Sequence, residues 1–441
     1  MATPETGPGA LEATTRIARD LIRLDTTNWG EGKARGEAEA AGYVSAELER
    51  MGLRPCSYEL APGRVTVVAE VEGRDGDRPA LVLHGHTDVV PADPANWSVD
   101  PFAGEIRDGM LWGRGAVDMK DMDAMILTAL GDLLGAGELP ARRLVVAFFS
   151  DEENGGVYGS HPMVDEHPEL FAHASEAVSE VGGYSVTLPT PGGDRRAYLL
   201  QSGEKALVWV RLIATGAAAH GSRHVDDNAV ATLARAVARI ADHRWPVRLT
   251  TTTRALLDEL AALFEVEPGG DPDELVLRTG SAAGFLRATL RVTSNPTVLT
   301  AGYKHNVIPD RAEALVDLRP FPGQESEVLA ELAAILGPEI EIQTVHADIG
   351  LEEPFAAPIV DAMVAALGRH DPGAPVLPYL MSGGTDNKAL AKLGIRGYGF
   401  APLRLTPELD FPAMFHGVDE RVPLDALAFG RAVLADFLRD G

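Results

Sequence analysis

A chain of 441 residues outgrows a single hydrophobic core, so two domains are expected. Apolar residues at 45% and charged residues at 24% mark a soluble globular protein, and its longest apolar runs are far too short for a membrane span. A formal charge of −26 excludes nucleic acid and anionic membranes as partners, and a single cysteine excludes an internal disulfide or a thiolate cluster.

In chain order, the opening to about Gly9 is rich in Pro, Gly and Thr and reads as loose. Residues 1–20 lack a basic start followed by an apolar stretch, so a cytoplasmic protein is expected. Apolar residues recur at helical spacing over 11–24 and 37–51, the second run closing on Gly52. Cys56, between Pro55 and Ser57, has no activating neighbourhood and reads as structural. Strands are expected at 65–71 and 80–84, a helix at 119–134, a buried strand at 144–149 and a short one at 176–179. This alternation predicts an α/β layer structure with a mostly parallel central sheet. The Pro/Gly-rich stretch 187–196 reads as a boundary. Beyond it, strands at 206–214, 312–318 and 340–345 and helices at 229–240 and 328–335 suggest a smaller α+β module with one open sheet face. After Pro354 the first pattern resumes and ends in a helix over 424–438. One domain interrupted by another is expected: 1–198 and 351–441 form the first, 199–350 the second.

The chemistry-bearing residues cluster at strand ends. His84-Gly85-His86-Thr87-Asp88 leaves one apolar strand, Asp151-Glu152-Glu153 leaves another, and Glu180 follows a third with Gly182-Gly183 behind it. Asp118 opens a helix after Gly113-Arg114-Gly115, and His416 lies in a loop before the last helix. Open α/β sheets bind ligands outside the carboxyl ends of their strands, so these groups are expected to converge. Packed carboxylates cannot all ionise side by side, and divalent cations remove that conflict. Mixed histidine and carboxylate donors suit zinc, with cobalt or manganese as alternatives, and a shared carboxylate commonly bridges two ions roughly 3.5–4 Å apart.

At this point the residues carry a resemblance. Gly85-His86-Thr87-Asp88-Val89-Val90-Pro91, then Trp97, Asp100-Pro101-Phe102 and Gly113-Arg114-Gly115 to Asp118-Met119-Lys120, resemble the aminoacylase, carboxypeptidase G and succinyl-diaminopimelate desuccinylase family of two-zinc hydrolases. Glu152-Glu153, Ser179-Glu180, Ala219-His220-Gly221, Asn306 to Pro309, Asp317-Leu318-Arg319 and Ser382 to Asp386 follow in that family's order. The wording around Met119 to Met122 resembles most the yeast carboxypeptidase S-like branch.

The resemblance implies a zinc-exopeptidase-like catalytic domain interrupted by a ferredoxin-like dimerisation and lid domain. It implies that His86 and Glu180 hold one metal ion, Glu153 and His416 the other, and that Asp118 bridges both. Asp88 would fix the His86 tautomer, and Glu152 would be the general base. His220 would reach across a homodimer interface to stabilise the oxyanion. Asn306, Arg319, Gly383, Gly384 and Thr385 would bind a substrate carboxylate, Arg319 through its two-pronged guanidinium. Competing readings are a loop histidine for His416, a turn histidine for His220, and for Arg319 a salt bridge to Asp317 or Glu313. His84 shares a strand face with His86 but is not a ligand in the family. Two positions depart from the family pattern: Asp121 stands where glycine is frequent, and Lys388 where arginine is.

The expected activity is cleavage of a peptide or N-acyl amino acid beside a free carboxylate. Alternatives are a desuccinylase acting on a diamino acid, an acyl-transferring member, and a binding protein that lost catalysis. The last requires a missing base or ligand, and none is missing.

Overall fold

The computed structural model describes residues 12–30 and 32–441, so the opening expected to be loose lies outside them. A ten-stranded sheet carries the first core. Its order runs Ser185–Thr190, Gly193–Glu204, Arg396–Gly399, Ala174–Ser179, Ala80–His86, Leu144–Phe149, Arg64–Val71, Cys56–Ala61. Val376–Met381 pairs parallel with Gly193–Glu204, and Leu351–Glu352 pairs with the same strand antiparallel.

The sheet is mixed rather than mostly parallel. Ala80–His86 lies parallel to both Leu144–Phe149 and Ala174–Ser179, and the latter is parallel to Arg396–Gly399. The flanks are antiparallel. The parallel centre is what the near-continuous apolar runs anticipate, because helices cover both faces. Ala13–Arg23, Lys120–Gly135 and Leu424–Asp440 pack on one face, Ser160–Glu166 and Asn387–Ala391 on the other. Every residue of Ala80–His86 and Leu144–Phe149 is buried. Cys56 opens the exposed edge strand.

The second core is a four-stranded antiparallel sheet, ordered Thr293–Ala301, Arg311–Arg319, Leu207–Thr215, Glu341–Asp348. Helices Ala229–Asp242 and Glu325–Leu336 cover one face and bury Leu233, Ala236, Leu332 and Leu336. In chain order this is β-α-β-β-α-β with a spatial order that matches the ferredoxin-like pattern.

Two expectations need correction, and a strand at 293–301 was not expected. The stretch 187–196 is not a domain boundary: Ser185–Thr190 and Gly193–Glu204 form a hairpin closed by Pro191-Gly192, so residue 198 falls inside a strand. Residues 251–290 do not belong to the second core. Their helices Thr251–Leu263, Pro272–Leu277 and Ala283–Leu286 return to the first, burying Leu256, Leu260, Val276 and Leu286 there. Thr293–Ala301 is a strand despite Pro296, because it lies at the sheet edge, where a missing N–H costs no ladder bond.

Candidate metal centre and active site

His86 is the last residue of its strand and lies opposite Phe149, the last residue of Leu144–Phe149. The turn that carries Glu152 and Glu153 therefore leaves the sheet beside His86. Glu180 follows Ser179 on the other side. Three adjacent parallel strands thus deliver four polar side chains to one edge, the place where open α/β sheets hold ligands.

The side chains meet in two groups. The ligating atoms of His86, Asp118 and Glu180 lie within 4.8 Å of one another, and so do those of Asp118, Glu153 and His416. His86 Nε2 is 3.1 Å from Asp118 Oδ1 and 3.4 Å from Glu180 Oε2. His416 Nε2 is 3.2 Å from Asp118 Oδ2 and 3.1 Å from Glu153 Oε2. Asp118 therefore faces both groups with one oxygen each. Glu152 stands apart from the close contacts, its Oε2 3.8 Å from His86 Nε2.

Buried hydrogen bonds fix these positions. His86 Nδ1 faces the Asp88 carbonyl at 3.1 Å and its carboxylate at 3.4 Å. The Asp88 carboxylate also accepts the backbone N–H groups of Glu152 and Glu153 and the Asn28 amide. Glu153 Oε1 accepts from the Val90 N–H. Fully buried Glu420 accepts the N–H groups of Gly115, Val117 and Asp118 and pairs with Arg114, which orients the Asp118 loop. Asp151 at φ 65°, Val181 at φ 52° and His416 at φ 57° lie in the left-handed region, one in each of three ligand-bearing turns. Strain of that kind persists where surroundings over-determine the backbone, and it concentrates at functional sites.

Electrostatics point the same way. For the side chains alone, burial pushes Glu152 and Glu180 well above the usual carboxylate range, and neighbouring carboxylates add to it. Burial disfavours a charged His86, yet Glu180, Asp118 and Asp88 outweigh it and hold the imidazole well above its ordinary value. Burial also opposes ionisation of Asp118, but His416 and His86 keep it well below the ordinary range. A divalent cation resolves the crowding of carboxylates, and the donors are the hard and borderline kind that suit zinc, cobalt or manganese. The residues fit a two-ion centre. His84 is outside it: its Nε2 bonds Asn387 Oδ1 at 2.9 Å, and burial lowers its pKa to about 4.

A cavity of about 300 Å³ opens onto the cluster, lined by Asp118, Glu152, Glu153, Glu180 and His416. Its wall is largely aromatic and aliphatic, including Tyr184, Leu207, Trp209, Phe285, Tyr379 and Phe415. Arg319, Gly383, Gly384 and Thr385 also line it. Two expectations change here. The Nε edge of Arg319 is taken by Asp317, at 2.6 and 2.9 Å, leaving only its remaining N–H groups for a substrate. The Thr385 N–H donates to Glu204 at 2.7 Å, so Gly383 and Gly384 keep the backbone donors of that loop.

His220 and Asn306 are not brought to the cavity. They sit side by side on the second module, where Ala219–His220 pairs with Val307–Ile308 and the Gly221 N–H donates to the Asn306 carbonyl. His220 is exposed and its Nδ1 lies 2.8 Å from Ser222 Oγ. The sequence reading missed Asn28 as a partner of Asp88. Glu420 as the anchor of the Asp118 loop was likewise not expected from the sequence.

The chain is similar to known proteins over most of its length. A sequence model described as peptidase family M20/M25/M40 matches residues 82–167, and one described as peptidase dimerisation domain matches residues 202–342. Human aminoacylase-1 is 29% identical, covering 94% of this chain and 92% of its own. The N-fatty-acyl-amino acid synthase/hydrolase PM20D1 of Xenopus tropicalis is 27% identical, covering 93% of this chain and 82% of its own. The crystal structure of the M20 family metallo-carboxypeptidase Sso-CP2 from Sulfolobus solfataricus superposes with a TM-score of 0.75 at 21% identity, covering 97% of this chain and 99% of that one. With its ligand-rich strand ends and its second module, the chain belongs to peptidase family M20/M25/M40 and is an amide hydrolase of the metallopeptidase and aminoacylase type.

Proposed function

We propose that this protein hydrolyses N-acyl amino acids or short peptides with a free carboxylate and an apolar group beside the scissile bond. The observation that carries the reading is the apolar cavity that opens onto the His86, Asp118, Glu153, Glu180 and His416 cluster, with Glu152 on its wall. His86 with Glu180 and Glu153 with His416 would each hold a divalent ion, zinc in the first instance, and Asp118 would serve both. Such ions supply Lewis-acid polarisation of the carbonyl and a nucleophile at neutral pH. Glu152 takes the proton of the attacking water and returns it to the leaving nitrogen, a role its desolvated, raised carboxyl favours. Asp88 holds the His86 ring and the Glu152-Glu153 turn in one arrangement. Arg319, through its free edge, and the Gly383 and Gly384 N–H groups receive the substrate carboxylate.

The exposed His220 beside the half-buried Asn306 fits a homodimer in which His220 stabilises the oxyanion of the partner's site. A desuccinylase is disfavoured, since a second substrate carboxylate needs an unpaired cation and Lys388 is bound by protein acceptors. No described helix is long and apolar enough to cross a membrane. The reading is tested on a panel of N-acyl amino acids and dipeptides, with the wild type and Glu152→Ala both metal-replete. Cleavage of apolar members that disappears in a variant still holding its metal supports it. A replete wild type that cleaves none of them overturns it.

A further inference from the structure

Besides the passages on either side of residues 251–290, the chain crosses between the modules at residues 205–206 and 349–350, directly from strand to strand. These two crossings run close together. A Cβ on Gly350 would meet Pro322 at 2.7 Å and the Ala206 nitrogen at 3.0 Å, so only glycine allows the approach. Each crossing is anchored next to the cavity: Lys205 N–H donates to the Met381 carbonyl, and Glu204 pairs with Leu351. Lys388 reaches this place from the helix Asn387–Ala391, just after the Gly383–Gly384–Thr385 loop. Its ammonium donates to the Lys205 carbonyl at 2.6 Å and to the Ile349 carbonyl at 3.0 Å, one acceptor on each crossing. The third direction faces Glu204 Oε2 at 3.4 Å. Glu204 in turn accepts the N–H and hydroxyl of Thr385 at 2.7 and 3.2 Å. Gly384 leaves room for this stem, since a Cβ there would lie 2.5 Å from Lys388 Cε. On the far side of the second crossing, Asp348 is held by His161 at 3.2 Å and His346 at 2.7 Å.

We propose that Lys388 is a positioning residue: one ammonium pins both crossings to each other and, through Glu204, to the substrate loop. It thereby sets the angle at which the second module's cavity residues, Leu207, Trp209 and Arg319, face the metal cluster. The residue type follows from the acceptors. Three acceptors around one point suit a compact ammonium, while a planar guanidinium presents its donors in a fixed fork. A lysine at this position is therefore part of how this chain builds its carboxylate pocket, with the ammonium spent on backbone rather than on substrate. The effect on catalysis rests on the hydrolase reading above; the effect on the crossings does not.

The test uses Lys388→Met and Lys388→Arg in the full-length, metal-replete protein, with the exposed Lys392→Met as control. Hydrogen exchange is followed by peptide, and kcat and KM are measured on N-acyl amino acids. In Lys388→Met, exchange over 203–207, 349–353 and 383–385 is expected to quicken about tenfold or more while the central strand Leu144–Phe149 stays protected. Its kcat/KM is expected to fall about a hundredfold, more in KM than in kcat, since displaced binding groups lose productive geometry. Lys388→Arg gives both changes at reduced size, and it carries the test if Lys388→Met does not fold. Unchanged exchange at the crossings in both variants overturns the proposal. So does quickening spread evenly along the chain with kcat/KM per folded molecule intact, which marks a packing residue only. If the wild type cleaves nothing in the panel, the hydrolase reading fails and the exchange pattern alone decides the role of Lys388.

Discussion

The strand-end cluster and the His220 loop differ in almost every physical respect. In the cluster, His86, Asp88 and Glu180 are buried, and Asp88 and Glu420 accept backbone N–H groups that fix the turns between the ligands. The His220 loop is exposed, is held by a two-residue pairing and lines no part of the described cavity. A single chain's fold determines the first region completely. The second would take part in catalysis only if something outside the chain brought it to a site.

Removing the proposed base, Glu152, breaks the first region most directly. Glu152→Gln is expected to lower kcat about a thousandfold with metal binding retained, measured by steady-state kinetics beside metal analysis. A loss confined to KM would show that Glu152 only binds substrate. The second region is broken by His220→Ala, for which a fall in kcat of about a hundredfold is expected. Mixing His220→Ala with Glu152→Gln chains sharpens the point. If the histidine acts in trans, half the mixed molecules own one intact site, and about a quarter of the wild-type activity returns. No recovery confines His220 to its own chain.

A smaller effect is expected at Glu420. Glu420→Gln leaves an acceptor but weakens the hold on the Asp118 loop, so metal affinity falls about tenfold by titration against a chelator. An unchanged affinity would mean that the loop is fixed by packing alone. A different kind of effect, on stability rather than on the site, is expected at Lys205, where burial lowers the ammonium from 10.5 to about 7. The unfolded chain keeps that proton up to about pH 10.5 while the folded chain loses it near 7, so Lys205 favours folding increasingly as pH rises through that window. Urea midpoints of wild type and Lys205→Met should diverge in the wild type's favour from pH 7 to 10. Parallel curves would remove Lys205 from the pH dependence.

The same contrast explains what the sequence disclosed. The ligand cluster was legible because apolar strands that end in histidine or acid are unusual and the parallel order aligns their ends. The pairing of Arg319 with Asp317 was legible as a rival, since residues two apart share a strand face. Asn28 and Glu420 were not legible in these roles, because their partners are far away in the chain. The return of residues 251–290 to the first core was equally hidden: an amphipathic helix shows that it buries a face, but not against which core. Pro191-Gly192 looked like part of a domain boundary because hairpin turns and boundaries use the same residues.

The most direct test of the two-ion account is a titration of the metal-stripped protein with zinc, cobalt or manganese, with activity followed per equivalent bound. The account predicts two equivalents per chain, with amide cleavage reaching its full rate as the second binds. Full activity without metal, or the absence of binding under replete conditions, would contradict it.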